Sequence, residues 1–262
     1  MNEKKKINII LILNTSITAI IILAAIISCI LFFKLNIKSK INYQQKITSA
    51  QDEVLMALDK KWAKKLLSGG YILHFRHTER DKWIDVQMYD VLESDVHSKG
   101  LNQSRMAEND YFKSAVCLNN RGLIQAKAIG ELLREIKFPI GFVISSPSCR
   151  SRQTANNSFG GYDELNRNLV HRGAYFEKEQ DHINKLKNIY LNLPIHKNKN
   201  TIVSSHNTVI SEKMFDMINS SVKTKLSLEE GGFYVISKKN NKLILEYEFH
   251  NFNLFIRTFF PR

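Results

Sequence analysis

Two arginines and two histidines stand where apolar runs of the sequence end. The run "YILHF" leads into Arg76 and His77, "FVISS" leads towards Arg150, and "TIVSS" leads into His206. A guanidinium offers a fixed fork of donors to phosphate oxygens and keeps its charge. A neutral imidazole nitrogen is a competent nucleophile towards phosphorus. Together the four side chains predict a site for a phosphate dianion, at which a histidine attacks phosphorus.

Alternating strand and helix patterns predict an α/β domain that brings these residues together. After the strand runs, "NRGLIQAKAIGELLREI", "SCRSRQTANN" and "TVISEKMFDMI" favour helices, and "GGFYVISKKNNKLILEYEF" favours a hairpin that turns at Lys239 to Asn241. In an α/β sheet, ligands bind beyond the carboxyl ends of strands, where helix amino termini also point. We therefore expect three strand ends to converge on one pocket.

From Tyr71 to about Phe249 the sequence resembles the histidine phosphatase superfamily, also called the phosphoglycerate mutase-like fold. "FRHTERD" is similar to the family's Arg-His-Gly signature, with Thr78 in the place of the glycine. "LNNRGLIQAKAIGELL" resembles the helix with Gly and Gln-Ala that follows, and "ISSPSCRSRQTA" resembles the family's Ser-Ser-Pro-x-x-Arg-x-x-Gln-Thr-Ala. "VSSHN" stands where the second histidine belongs. Four motifs in the family's order make the resemblance specific.

The resemblance implies a role for each of these residues. His77 becomes the phosphorylated nucleophile, Arg76 and Arg150 the phosphate clamps, and His206 a second pocket histidine that binds the phosphoryl oxygens. The implied fold is a three-layer α/β/α sandwich around a mainly parallel sheet. The resemblance implies neither a metal nor another cofactor.

Departures from the family's pattern concern the pocket and the general acid. Thr78 is expected to narrow the pocket or to add a hydroxyl donor that binds substrate. Asn207 follows the second histidine, where the acid phosphatase and phytase branch has Asp, so that branch is disfavoured. The Glu of the mutase branch is replaced in "DELNRNLVHRG", which makes Glu164 the candidate general acid. Glu79 and Asp81 are alternatives.

The amino terminus predicts a membrane anchor. Residues 7–33 carry no charge, and their densest part is long enough to cross most of a hydrocarbon core of about 30 Å. A cleaved signal peptide is the main alternative. The predicted organisation is a basic tail (1–6), a transmembrane helix (7–33), a stalk helix (34–68) with Val54, Leu58, Trp62 and Leu66 on one face, and a phosphatase-like domain (69–262) with a lid-like insertion (83–117). The default orientation of an uncleaved anchor places this domain on the extracytoplasmic side of the cell membrane.

The net charge and the cysteine content limit the range of expected binding partners. The net charge of +13 favours anionic partners, but no nucleic-acid signature accompanies it, so nucleic acid is not expected. The lipid bilayer is the partner expected for the amino-terminal helix, and a phosphorylated small molecule, glycan or protein is the expected substrate. Three cysteines without a CxxC pair argue against a disulfide scaffold, although Cys117 and Cys149 could pair in an oxidising compartment.

Two classes of function follow from this reading. The first is a membrane-anchored phosphatase that hydrolyses a phosphomonoester through a phosphohistidine on His77. The second is a catalytically degenerate relative that binds a phosphorylated ligand or a partner, and Thr78 together with the missing Glu keeps it open. A mutase is placed last because its Glu context is absent.

Overall fold

The computed structural model describes residues 32–34, 52–81, 116–170, 178–222 and 226–260. The chain divides into two units, Met1–Ala57 and Leu58–Arg262. In the first unit, residues 32–34 and 52–57 are helical. No helix among the described residues is long and apolar enough to span a membrane. The predicted transmembrane helix and the predicted insertion lie almost entirely outside the described residues.

The described residues of the second unit form seven strands and the helices that cover them. The helices are α1 (52–67, from Leu58 onward in this unit), α2 (Asn120–Glu135), α3 (Cys149–Phe159), α4 (Glu179–Asn192) and α5 (Phe252–Ile256), with short 3₁₀ helices at Arg167–Leu169 and Glu212–Met214. The strands are β1 (Ile72–Arg76), β2 (Ile140–Ser145), β3 (Glu164–Leu165), β4 (Asn200–Ser205), β5 (Met217–Ile218), β6 (Phe233–Lys239) and β7 (Lys242–Phe249).

One sheet, in the order β3-β2-β4-β1-β6-β7-β5, organises this unit. Strand β4 pairs in parallel with both β1 and β2, so the three strands end at the same edge of the sheet. This confirms the predicted convergence of the three strand ends. Strand β6 runs antiparallel to β1 and β7, so the sheet is mixed, with parallel strands where the motifs lie.

Alternating side chains of the strands build a core on each face of the sheet. On one face Leu73 and Phe75 pack with α2, α3, α5 and the carboxyl-terminal part of α1. On the other face Ile72 packs with α4 and the surrounding loops. The result is the expected three-layer arrangement of an α/β fold.

The predicted stalk helix contributes directly to the first of these cores. Trp62 and Leu66 are buried, and Leu58 packs against the same cluster; Val54, in the first unit, is exposed. Asp59 on this helix accepts hydrogen bonds from the Tyr247 hydroxyl and the Arg257 guanidinium, both at 2.9 Å. The segment from Leu58 onward is therefore part of the folded domain.

The hairpin prediction is confirmed, and one helix prediction is wrong. Asn240 and Asn241 form the turn between β6 and β7, with positive φ values of 49° and 59°. Residues 208–218, predicted as a helix, instead form a 3₁₀ helix and β5. The Ser211 side chain accepts a bond from the Lys213 amide, and the Asp216 amide donates to the Leu243 carbonyl. Local capping and pairing with β7 thus use backbone groups that a helix would need.

Helix α2 approaches the segment after β1 closely. A Cβ atom at Gly122 would lie 1.9 Å from the Glu79 carbonyl oxygen, and Asn119 caps the helix by accepting from the Gly122 amide at 2.8 Å. Only glycine fits this contact, which fixes the backbone two residues beyond His77.

We expect Gly122→Ala to lower the free energy of unfolding by about 1–3 kcal/mol, because backbone atoms must move to accept the methyl group. Denaturant unfolding measures this loss. Ile124→Ala is the control, since Ile124 lies on the same helix and is 68% exposed. Equal stabilities of the two variants would contradict the close contact.

Candidate active site

His77 lies directly after β1, where its backbone and ring are both fixed. Its amide donates to the Ser205 carbonyl at 2.9 Å, which ties it to the end of β4. Its ring Nδ1 lies 2.8 Å from the Thr78 carbonyl oxygen. Because a carbonyl only accepts, Nδ1 carries the proton and Nε2 keeps its lone pair. The ring therefore presents Nε2 as its nucleophilic atom.

The surroundings of His77 favour the neutral ring. The imidazole is buried, with 5% of its residue surface exposed, and Arg150 Nε donates to Nε2 at 3.2 Å. Burial, followed by the positive charge of Arg150, holds the pKa of His77 well below its usual 6.5, and Arg76 and Arg80 act in the same direction. A buried, neutral imidazole beside cations suits attack on an anionic group.

Arg150 reaches the pocket from the first turn of α3. Its Nη1 donates to the Val116 carbonyl at 3.3 Å. Cys117 and Cys149, the neighbours of these two residues, form a disulfide with their Cα atoms 4.9 Å apart. The expectation against a disulfide scaffold thus needs one correction: the pairing left open for an oxidising compartment is present, and it lies beside the phosphate-clamp arginine.

Arg76 is held by the turn that precedes β6. One guanidinium nitrogen donates to the Leu228 carbonyl, and the other pairs with Glu230 at 2.6 Å. Asn207 accepts from the Leu228 amide at 2.8 Å, and Gln125 donates to the Glu230 carbonyl at 2.9 Å. These two amide side chains, each within or beside a predicted motif, orient the groups that hold Arg76.

His206 follows β4 and faces His77. The two ring centroids are 5.3 Å apart. His206 Nε2 lies 3.1 Å from the Ser146 hydroxyl and 3.4 Å from the Ser151 hydroxyl, and the residue is 2% exposed. The structure thus brings His206 together with His77 and Arg150, as the sequence predicted.

Thr78 is buried and turned towards α2 and α3. Its hydroxyl donates to the Gly122 carbonyl at 2.9 Å, and its amide donates to the Thr154 hydroxyl at 3.1 Å. Thr154 in turn donates to the Arg150 carbonyl at 2.8 Å. Because a hydroxyl has one proton, this arrangement leaves none for a substrate. Thr78 therefore connects the segment after β1 to α2 and α3. This geometry does not favour the prediction that its hydroxyl donates to a substrate.

The candidate acids lie apart from the His77 ring. Glu164 is exposed on the edge strand β3, and its carboxylate accepts from Asn166 at 3.4 Å. Glu79 pairs with Arg121 at 2.5 Å, and both Glu79 and Asp81 accept from the Asn119 side chain. None of the three carboxylates contacts the four predicted pocket residues, so the general acid stays a prediction.

Several supporting residues escaped the sequence reasoning. Glu230 and Thr154 position Arg76 and the His77 loop, and Val116 binds Arg150. The sequence "EEGG" resembles a turn of the family and "RQTA" belongs to a family-like motif, but nothing in one sequence pairs them with particular arginines or amides. His74 of β1 lies against α4, and its ring Nε2 is 3.0 Å from the backbone carbonyl oxygen of His206.

A separate cleft of about 480 Å³ lies beside the Arg76–Glu230 pair. Its lining comes from α2, the turn before β6 and the start of α5, and includes Glu79, Gln125, Glu229 and Glu230. This cleft is not lined by His77, His206, Arg76 or Arg150. Among the described residues, no group of three or more His, Cys, Asp or Glu side chains is arranged to hold a metal ion.

The α/β sheet thus gathers two histidines and two arginines at its parallel strand ends, a constellation suited to binding a phosphate dianion. A family model described as "Histidine phosphatase superfamily (branch 1)" matches residues 103–163, which include the motif around Arg150. The match covers less than a quarter of the chain and agrees with the superfamily that the sequence motifs resemble.

Solved structures of low sequence identity also resemble the chain. The protein histidine phosphatase SixA complexed with tungstate is 12% identical, with a TM-score of 0.42, over 68% of this chain and 95% of that one. A putative phosphohistidine phosphatase SixA from Agrobacterium tumefaciens is 15% identical, with a TM-score of 0.39, over 69% and 97%. A phosphoserine phosphatase mutant from Entamoeba histolytica is 13% identical, with a TM-score of 0.40, over 68% and 95%. No curated protein matches the chain. At these scores the likenesses decide nothing about substrate.

The disulfide beside Arg150 makes a testable contribution to anion binding. We expect Cys117→Ala and Cys149→Ala each to weaken the binding of inorganic phosphate about three- to tenfold, the size of one lost hydrogen bond, because Val116 is no longer held against Arg150. Isothermal titration calorimetry of the full-length chain measures the change.

The double variant serves as the control for this prediction. It should bind phosphate like either single variant, since each change breaks the same bridge, and a reducing agent should weaken binding only in the wild type. Unchanged phosphate binding in all three folded variants would remove the disulfide from the site.

Proposed function

We propose that this protein is a phosphatase that hydrolyses a phosphomonoester through a phosphohistidine on His77. The hydrogen bond from Arg150 Nε to His77 Nε2 carries this proposal. It identifies the atom with the free lone pair and places a permanent cation beside it. Both features are needed where a neutral nitrogen attacks a dianion.

The first step forms a bond between His77 Nε2 and phosphorus and breaks the bond from phosphorus to the ester oxygen. A bound phosphoryl group takes over the guanidinium donors of Arg150, which frees the Nε2 lone pair to point at phosphorus. Arg76 and His206 bind the remaining phosphoryl oxygens, where negative charge is spread in the transition state. The leaving oxygen takes a proton from an acid or from water.

The second step regenerates the enzyme. Water attacks phosphorus, the nitrogen–phosphorus bond breaks, and inorganic phosphate leaves, while His77 recovers its neutral ring. The Thr78 carbonyl holds the Nδ1 proton throughout both steps, so the same nitrogen is presented in each cycle.

Anchoring by residues 7–33 and an extracytoplasmic domain complete the proposal. The uncharged run supports the anchor, and the Cys117–Cys149 disulfide favours an oxidising compartment. The substrates proposed are phosphorylated small molecules, glycans or proteins of that compartment.

A phosphoenzyme trap tests the nucleophile. With an aryl phosphate, wild-type full-length chain should release the aryl alcohol and carry acid-labile, alkali-stable phosphate, whereas His77→Ala should lose both. His196→Ala is the matched control because His196 is exposed and away from the four residues. Phosphate binding without turnover or phosphoenzyme would favour the degenerate, ligand-binding relative.

The protonation state of His77 predicts the acid side of the pH–rate profile. Activity requires the neutral ring, so kcat/KM should fall as the pH drops through the pKa of His77 in the free enzyme. Because burial and then Arg150 lower that pKa, the midpoint should lie below 6.5.

The comparison with Arg150→Gln tests the cause of this shift. Removing the neighbouring positive charge should move the midpoint upward in whatever activity remains, as measured with the same aryl phosphate. A wild-type midpoint at or above 6.5 would contradict the proposed state of the nucleophile.

A further inference from the structure

His74 lies on β1, three residues before His77, and its ring faces helix α4. It is fully buried, yet both ring nitrogens have partners. Nδ1 lies 2.5 Å from the Tyr190 hydroxyl of α4, and Nε2 lies 3.0 Å from the backbone carbonyl oxygen of His206. These two contacts satisfy a ring that burial removes from water, and one of them reaches the backbone of a pocket histidine.

The partners of His74 fix the direction of both hydrogen bonds. A carbonyl oxygen only accepts, so Nε2 carries the proton and donates to His206. Burial lowers the pKa of His74 to about 4, so the ring is neutral near pH 7 and Nδ1 is unprotonated. Nδ1 therefore accepts the proton of the Tyr190 hydroxyl. One chain of donors runs from α4 through His74 to the peptide of His206.

The His206 peptide lies just past the end of β4, where sheet pairing no longer fixes it. Strand β4 ends at Ser205, and the His206 carbonyl also accepts a long 3.4 Å bond from the Val209 amide within the turn. Fixing this carbonyl restricts the backbone torsion ψ of His206 and so helps to set the direction of its Cα–Cβ bond. A bond from His74 thus bears on the direction in which the imidazole enters the pocket.

We propose that His74 and Tyr190 form a positioning pair for His206. They act through the His206 backbone and do not touch the substrate. The inference deepens the proposed function, on which it rests, by assigning polar core residues to the geometry of the phosphoryl-binding histidine.

Three variants and one control test the pair. His74→Leu removes the donor, His74→Gln keeps an amide donor able to reach the His206 carbonyl, and Tyr190→Phe removes only the hydroxyl. Tyr234→Phe is the matched control: the Tyr234 ring lies 6.3 Å from the His74 ring, as the Tyr190 ring does at 6.2 Å, but its buried hydroxyl has no hydrogen-bond partner in the described part of the chain.

In the full-length chain, His74→Leu should lower kcat for an aryl phosphate roughly ten- to hundredfold with KM nearly unchanged, because a misplaced His206 serves the transition state poorly. Tyr190→Phe should cause a smaller loss in the same direction. His74→Gln should stay within about threefold of the wild type, and Tyr234→Phe should equal it.

A double-mutant cycle with His206→Ala separates positioning from a general loss of structure. In the His206→Ala background, His74→Leu and Tyr190→Phe should have no further effect on kcat or on the dissociation constant of inorganic phosphate. Equal fold-losses with and without the His206 side chain would overturn the inference, as would wild-type kcat and phosphate binding in His74→Leu. If His74→Leu does not fold, the Tyr190→Phe cycle decides.

Phosphate binding distinguishes failure of this inference from failure of the proposed function. One outcome is that the wild type shows no turnover, while His74→Leu weakens phosphate binding only when His206 is present. In that case the proposed phosphatase activity is wrong and the positioning pair is supported. The other outcome is that turnover is present and the effects of the His74 and His206 substitutions are additive. In that case the positioning pair is wrong and the phosphatase activity is supported.

Discussion

The hydrogen bond from Arg150 to His77 depends on a neutral ring, because a protonated imidazole has no lone pair to accept it. Much of the surrounding structure serves that condition. The Thr78 carbonyl fixes the proton on Nδ1, burial disfavours the charged form, and the guanidinium itself makes a second positive charge costly. The same hydrogen bond thus links the proposed nucleophile to the proposed phosphate clamp.

Keeping two arginines in a largely buried pocket requires partners for their charge and donors. The two arginines have different partners. Arg76 is paired with the Glu230 carboxylate, whereas Arg150 donates to the uncharged Val116 carbonyl and to His77. Arg150 is thus the arginine whose guanidinium contacts the His77 ring directly. The disulfide next to Val116 makes this arrangement depend on a covalent link rather than on a single hydrogen bond.

The positions of the main side chains followed from sequence because strand ends are marked by abrupt changes in polarity. Parallel pairing of β1, β4 and β2 then brings Arg76, His77 and His206 to one edge. The direction in which a side chain points could not be predicted in the same way. Thr78 was expected to face substrate, but the carbonyl of Gly122, far away in sequence, receives its proton. The Glu230 and Cys117–Cys149 contacts likewise depend on turns and helix ends whose separation in space no spacing rule provides.

Thr78 also bears on whether the departure from Arg-His-Gly weakens the site. A glycine is obligatory where φ is positive, and Thr78 is not among the non-glycine residues with positive φ in the described chain, which are Lys137, Asn198, Asn240 and Asn241. The space is supplied instead by Gly122, whose bare Cα admits the backbone of Glu79 while its carbonyl accepts the Thr78 hydroxyl. Threonine and glycine thus form a complementary contact between the nucleophile loop and α2. The substitution in the signature fits an ordered pocket, and it is not by itself an argument for degeneracy.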